Sequence, residues 1–226
     1  MKKKYQVLIV EDESLIIDSY RRALRFVEED LVNIKFNITE ALDCGQAIDK
    51  IRAIELNNNK FDIAFLDINL PSSKSYDILN GEVLGQVIIK KNPSCKLLVC
   101  TSYTDNHRLK NILTSLNPNA FLIKSDIVFL DLVVSITKLV ENDSYYSKTV
   151  IDLMRKQLNS AIVLDDLDLK ILHEMSNGAK MKDLIALLPL TKSGLEKRRA
   201  HVKVKFGNKF MSDRDMIIAA KTKGFI

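Results

Sequence analysis

Four polar residues or clusters stand directly behind short apolar runs. Tyr5–Val10 is followed by Glu11, Asp12 and Glu13, and Phe61–Leu66 by Asp67. Lys96–Cys100 is followed by Thr101 and Ser102, and Ala120–Ile123 by Lys124. In an open parallel sheet, chemistry collects at the carboxyl ends of the strands. Carboxylates, a hydroxyl and an ammonium gathered at one such edge suit metal-assisted phosphoryl transfer. An aspartate accepts a phosphoryl group only when its repulsion with the donor is cancelled. Mg²⁺ does this while held by one or two carboxylates together with substrate oxygens. Glu11 and Asp12 are the natural metal holders, and Asp67 supplies a further metal oxygen and the nucleophile. Lys124 is a point charge able to pair with Asp67 when it is empty and with a phosphoryl oxygen when it is loaded. Thr101 offers a hydroxyl to another of those oxygens.

The elements that must position these residues follow from periodicity. Strands are expected near 5–10, 35–40, 61–66, 96–101 and 120–123, with helices near 14–27, 44–56, 82–91, 105–116 and 126–141. Strand-helix alternation, with the strands apolar along their whole length, predicts an α/β fold whose parallel sheet is covered on both faces. Five such units match a flavodoxin-like, doubly wound, five-stranded architecture. A polar stretch, Glu141–Ser147, then marks a change. Residues 148–159 add a helical turn or two before the apolar run Ala161–Leu164. Beyond it only helical patterns occur, near 165–176, 180–188, 193–206 and 213–223. Gly178 and Gly224 stand where helix C-caps want them, and Ser212 with Asp215 approximates a capping box.

Composition narrows the class. The 226 residues are 46% hydrophobic and 28% charged, as in a globular protein of two domains. No run approaches the ~20 apolar residues of a membrane span. The apolar stretch behind Met1–Lys4 is too short for a secretion signal, so a cytoplasmic protein without a membrane partner is expected. Cys44, Cys95 and Cys100 match no metal-ligand spacing and read as buried or half-buried thiols. Charge is unevenly divided. Residues 1–149 carry 19 Lys+Arg against 20 Asp+Glu, a net of −1, and residues 150–226 carry 15 against 9, a net of +6. Only the second part is suited to a polyanion.

The order and spacing of Glu11-Asp12, Asp67, Thr101 and Lys124 resemble the receiver domain of a two-component response regulator. Asp67-Ile-Asn-Leu-Pro71 also has the form common in receivers, and the resemblance covers residues 4–141. It implies Mg²⁺ as cofactor, with the backbone carbonyl of Asn69 completing the ligand set. It implies a sensor histidine kinase as phosphoryl donor, and Phe121 as a switch aromatic that turns inward while Thr101 moves towards the phosphoryl group. Two departures stand out. The loop Ser72–Asn80 is roughly six residues longer than usual, fitting either a gate or kinase-recognition element or a tolerated surface insertion. Ser125 stands where many receivers have proline. A stand-alone aspartyl phosphatase is disfavoured, because its second acid would be Asn69.

Residues 164–226 resemble the four-helix, LuxR-type helix-turn-helix output domain. In this reading 1–141 is the receiver, 142–163 a linker and 164–226 the DNA-binding domain. Asp168–Met175 starts the first helix, Lys182–Leu188 is the positioning helix, Pro189–Lys192 the turn and Ser193–Phe206 the recognition helix. Seven cations lie between Lys192 and Lys209 against the single acid Glu196. On a helical wheel Leu195, Val202 and Phe206 face inward. Lys197, Ala200, His201 and Val204, with Glu196 beside, face outward towards a major groove, and Ser193 joins this set at the helix start. Arg198 and Arg199 are expected to reach phosphates from the edges of the buried face, as are Lys192, Lys203 and Lys205. Gly194 and Arg198 depart from the family pattern. Because one short helix reads few bases, a homodimer on double-stranded DNA is expected once the receiver is phosphorylated. The competing expectation is a receiver whose helical tail binds protein or RNA. In neither case is an enzyme expected, beyond the receiver's own phosphotransfer.

Overall fold

Apolar runs uninterrupted by charge form the centre of a sheet. The computed structural model describes residues 2–158 and 162–226. Its central strands are β1 (Lys3–Val10), β3 (Ile63–Asp67), β4 (Lys96–Thr101) and β5 (Ala120–Ile123). The edge strand β2 (Ile34–Ala41) is buried only in part. All pairings are parallel, in the order β2-β1-β3-β4-β5-β6. The connecting helices are α1 (Ser14–Asp30), α2 (Cys44–Leu56), α3 (Gly81–Lys91), α4 (Asn106–Leu116) and α5 (Phe129–Val140). One core cluster joins Val7, Ile9 and Phe65 of the strands to Tyr20 and Leu24 of α1 and Ile136 of α5.

The sheet has six strands rather than the expected five. The extra strand, β6 (Tyr145–Tyr146), lies in the stretch read as a linker. Two residues are too few to carry a period-2 signal. Helix α5 starts at Phe129 rather than near 126, because Ile123–Asp126 form a turn in which the Asp126 amide donates to the Ile123 carbonyl at 2.9 Å.

The chain packs as two units, residues 1–103 with 112–150 and residues 104–111 with 151–226. Helix α6 (Lys148–Leu158) matches the helical turns expected after 148, while Met1, Asn159, Ser160 and Ala161 lie outside the described residues. The second unit holds α7 (Asp166–Ser176), α8 (Met181–Leu187), α9 (Lys192–Lys205) and α10 (Asp213–Thr222). Caps set their limits. Asp165 accepts from the Asp168 amide at 2.9 Å, and Ser212 from the Asp215 amide at 3.1 Å. Thr191 accepts from the Gly194 amide at 3.1 Å, which starts α9 one residue before the expected Ser193. Gly178 and Gly224 have φ of +91° and +76° and follow helix ends as expected. Leu169, Leu172, Val202, Met216 and Ala220 make one core, and Ile171, Leu184, Leu188 and Leu195 a second. Among the described residues, no helix is long and apolar enough to cross a membrane.

Candidate functional site

Four strand ends converge on Asp67. The Glu11 amide donates to the Ala41 carbonyl at 3.1 Å, which turns the chain out of β1 and brings in Glu11, Asp12 and Glu13. Asp67 closes β3, and Thr101 closes β4 with its side chain fully buried. The Lys124 amide donates to the Thr101 carbonyl at 2.8 Å, fixing the exit from β5 beside β4. Lys124 Nζ then lies 2.9 Å from Asp67 Oδ2, 3.2 Å from Glu11 Oε1 and 3.1 Å from Glu13 Oε1. The other Asp67 oxygen, Oδ1, accepts from the Asn69 amide at 3.0 Å.

Three acids share one ammonium here. Burial disfavours charge on Lys124, but bonding to Asp67 and the charges of Asp67 and Glu11 outweigh it, so the ammonium is held above its ordinary range. Glu11 responds in the opposite sense. Burial and the neighbouring Asp67 charge push its carboxyl up to about 7, against the pull of Lys124. Carboxylate oxygens of Glu11, Asp12 and Asp67 lie within 4.8 Å of one another. Glu11 Oε2 is buried without an aligned hydrogen bond. An oxygen-rich group with surplus negative charge, its buried Glu11 Oε2 facing the Lys124 ammonium at 3.1 Å, fits a small divalent cation. Thr101 Oγ1 accepts from the Tyr103 amide at 3.3 Å, and Phe121 is fully buried.

The second unit presents a different surface. Along α9, Leu195 and Val202 are fully buried and Phe206 is half-buried. Lys192, Ser193, Glu196, Lys197, Ala200, His201 and Val204 are exposed, as the wheel predicts. Four of the five cations expected at phosphates, Lys192 excepted, have intrachain partners. Arg198 Nη1 lies 2.6 Å from Asp165 Oδ2 and 2.8 Å from Asp168 Oδ1, and Lys205 Nζ lies 3.0 Å from Asp168 Oδ2. Arg199 pairs with Asp213, and so does Lys203, at 2.9 Å. Asp168 is fully buried, so its two cations satisfy a charge that could not stand alone. These acids lie on α7 and α10, and no spacing within α9 announces them. Lys192, Lys197 and Lys209 face solvent, with no acid within ion-pair distance among the described residues.

No family model matches the chain. A curated relative, a cyclic di-GMP phosphodiesterase of Thermotoga maritima, is 32% identical over 104 residues. That stretch is 46% of this chain and 23% of the relative, so the chain spans about a quarter of that protein's length. Solved structures match far more of it. RcsB of Salmonella enterica serovar Typhimurium, bound to a promoter with a phosphomimetic beryllofluoride, matches over 95% of this chain and 97% of its own, with TM-score 0.63 and 17% identity. A structure of two RcsB dimers bound to two parallel DNAs matches over 97% of this chain and 99% of its own, also with TM-score 0.63 and 17% identity. The isolated receiver domain of RcsB with beryllofluoride covers 66% of this chain and 98% of its own, with TM-score 0.53 and 18% identity.

The chain shares the fold of these RcsB structures. Receiver-like α/β architecture is followed by a helical part, and both were legible as resemblances. Three features of the site were not. Glu13, seen only as the last of three strand-end acids, shares Lys124. Gly81 starts α3 against Asp67, and a Cβ there would lie 1.9 Å from the Asp67 carbonyl oxygen. Its signal was a glycine directly behind the Asn80 cap, which accepts from the Val83 amide at 3.1 Å. The long loop is folded rather than loose. Ser73 and Ile78 form an antiparallel bridge, Tyr76 bonds Asp49, and the Arg52 guanidinium lies 4.6 Å from the Tyr76 ring centre.

The cysteines are buried and free, as expected, and burial raises the Cys44 thiol to about 11 and those of Cys95 and Cys100 to about 12. Within the second unit Asp105, His107 and His173 form another group with ligand-type atoms. The two imidazoles stack at 4.7 Å with planes 25° apart, so their in-plane lone pairs run side by side instead of converging.

Proposed function

We propose that this chain is a response regulator in which phosphorylation of Asp67 controls binding to double-stranded DNA. The observation that carries the first half is Lys124 Nζ at 2.9 Å from Asp67 Oδ2 inside a cluster of carboxylates. Glu11, Asp12, Asp67 and the Asn69 carbonyl would hold Mg²⁺, whose charge offsets repulsion between the aspartate and its phosphoryl donor. The donor is the phosphohistidine of a sensor kinase. An Asp67 carboxylate oxygen attacks phosphorus, the phosphorus–nitrogen bond breaks, and the imidazole leaves with the electron pair. Lys124 passes from the carboxylate to a phosphoryl oxygen, and Thr101 supplies a hydroxyl to another. Phe121 repacks with that movement. The protein acts on no external substrate beyond this self-directed transfer, and its site of action is the cytoplasm.

The second half rests on the exposed face of α9. Lys197 is suited to guanine acceptors, Glu196 to the cytosine amino group and Ala200 to a thymine methyl, with Ser193 and His201 alongside. Lys192 neutralises a phosphate. Arg198, Arg199, Lys203 and Lys205 hold α9 against the acids of α7 and α10, and so act on DNA through the angle of the helix. Two loaded copies occupy adjacent half-sites as a homodimer. In domain terms, 1–141 is the receiver, 142–163 the connection and 164–226 the DNA-binding part.

Selection of random duplexes with beryllofluoride-loaded protein tests this reading. The expected result is an enriched inverted or direct repeat whose binding needs both loading and Lys197. Enrichment of no duplex, together with retention of RNA or protein, would place the helical part in another binding class.

A further inference from the structure

Strand β6 has an odd address for a connecting segment. It closes the open edge of the sheet beside the strand that delivers Lys124. The Tyr145 amide donates to the Asn119 carbonyl at 3.1 Å and the Ser147 amide to the Phe121 carbonyl at 3.0 Å. Ser147 is then buried, and its hydroxyl is used twice. It accepts from the Ile123 amide at 3.2 Å and donates to Asp126 Oδ2 at 3.2 Å. Asp126 Oδ2 also accepts from the Thr149 amide at 2.8 Å. Ile123 and Asp126 bracket Lys124 and Ser125, so one hydroxyl clamps both ends of the backbone that presents the ammonium. On the opposite side that backbone is held to β4, where the Lys124 amide donates to the Thr101 carbonyl.

We infer that Tyr145–Thr149, β6 together with the start of α6, is a detachable edge segment, coupled to Asp67 through the Lys124 backbone, with Ser147 as the positioning residue. The inference rests on the reading of Asp67 as phosphoacceptor. A phosphoryl group adds roughly −1.5 to −2 charges and new acceptor oxygens where Lys124 now bonds. The ammonium must leave Asp67 Oδ2 and aim elsewhere, and its enclosed stem carries the end of β5 with it. The bonds that meet this displacement are the two made by the Ser147 hydroxyl, the longest of the set. The strand is otherwise held by its tyrosine hydroxyls, Tyr145 donating to Asp131 Oδ1 at 2.7 Å and Tyr146 to the Pro118 carbonyl at 3.1 Å, so release breaks these as well as the Ser147 bonds. Once they open, β6 leaves the edge and the segment from Tyr145 onward is released. The coupling works both ways, so weakening the strand favours loading.

Hydrogen exchange on the full chain, with and without Mg²⁺ and beryllofluoride, tests this directly. The amides of Tyr145, Ser147 and Thr149 should exchange about tenfold faster in the loaded protein, while those of β1 and β3 do not. Ser147→Ala should bind beryllofluoride about fivefold more tightly, and Ser147→Thr, which keeps the hydroxyl, should restore the original affinity. A purely structural serine would lower thermal stability and leave that affinity unchanged. Should Ser147→Ala fail to fold, the exchange comparison on the unaltered chain still decides. Beryllofluoride binding with unchanged or slowed exchange at 145–149 overturns the coupling and leaves the phosphoacceptor reading intact. Absence of beryllofluoride binding, followed by ¹⁹F resonance, overturns both.

Discussion

A carboxyl group with no exposed surface, set between Asp67 and Lys124, keeps its proton longer than an ordinary glutamate. Burial and the Asp67 charge raise Glu11 from 4.5 to about 7, so the folded chain binds a proton that the unfolded chain releases. The ion-free protein should therefore gain stability as pH falls from about 7 towards 4.5, and lose it as pH rises through 7. A cation needs the carboxylate, so Mg²⁺ affinity should drop about tenfold per pH unit below 7. Calorimetric titration across that range checks this, and Glu11→Gln should flatten the profile. A Mg²⁺ affinity indifferent to pH in the unaltered chain would remove Glu11 from the site. Gly81 sets a steric limit at the same scale. Gly81→Ala forces a methyl against the Asp67 carbonyl, so it should destabilise the first unit by ~2 kcal/mol or more and depress loading of Asp67. Chemical denaturation and a phosphorylation assay read the two effects, and an unperturbed variant would mean that α3 can shift away from β3.

At the scale of elements, α9 divides its cations into braces and free charges. Arg198→Ala leaves the buried Asp168 with Lys205 alone, and should cost about 2–3 kcal/mol in unfolding of the helical unit. Lys197→Ala should change stability by less than about 0.5 kcal/mol and weaken duplex binding instead. Denaturation curves set beside gel-shift titrations separate the roles, and the reverse pattern would overturn the division. This split also marks what the sequence could reveal. The outward face of α9 was legible because a buried stripe of Leu195, Val202 and Phe206 dictates what lies opposite. The pairing of Arg198 and Lys205 with Asp168 was not, since their partner sits 30 and 37 residues away on another helix. Strand ends were legible for a simple reason, namely that a charged residue stops an apolar run. β6 escaped notice because two tyrosines behind a polar stretch look like linker, and Glu13 because helix starts commonly carry acids.

At the scale of the whole molecule, the chain is near neutral in its first two thirds and basic in the last. Long-range attraction to a polyanion therefore belongs to residues 150–226, and duplex affinity should fall steeply with salt. Removing Lys192 or Lys209 should each lower the slope of log affinity against log salt by about 0.9, whereas the base-reading Lys197 and a brace such as Lys203 should alter it less. Binding isotherms at several salt concentrations measure this, and equal slopes for all variants would mean that α9 does not face the phosphates.

The central claim is that Asp67 takes a phosphoryl group. Intact mass after incubation with acetyl phosphate and Mg²⁺, with Asp67→Ala beside it, tests that claim most directly. A single phosphoryl adduct that needs Mg²⁺ and disappears in the variant is the expected result. No adduct in the unaltered chain, or one that survives in Asp67→Ala, would contradict the account.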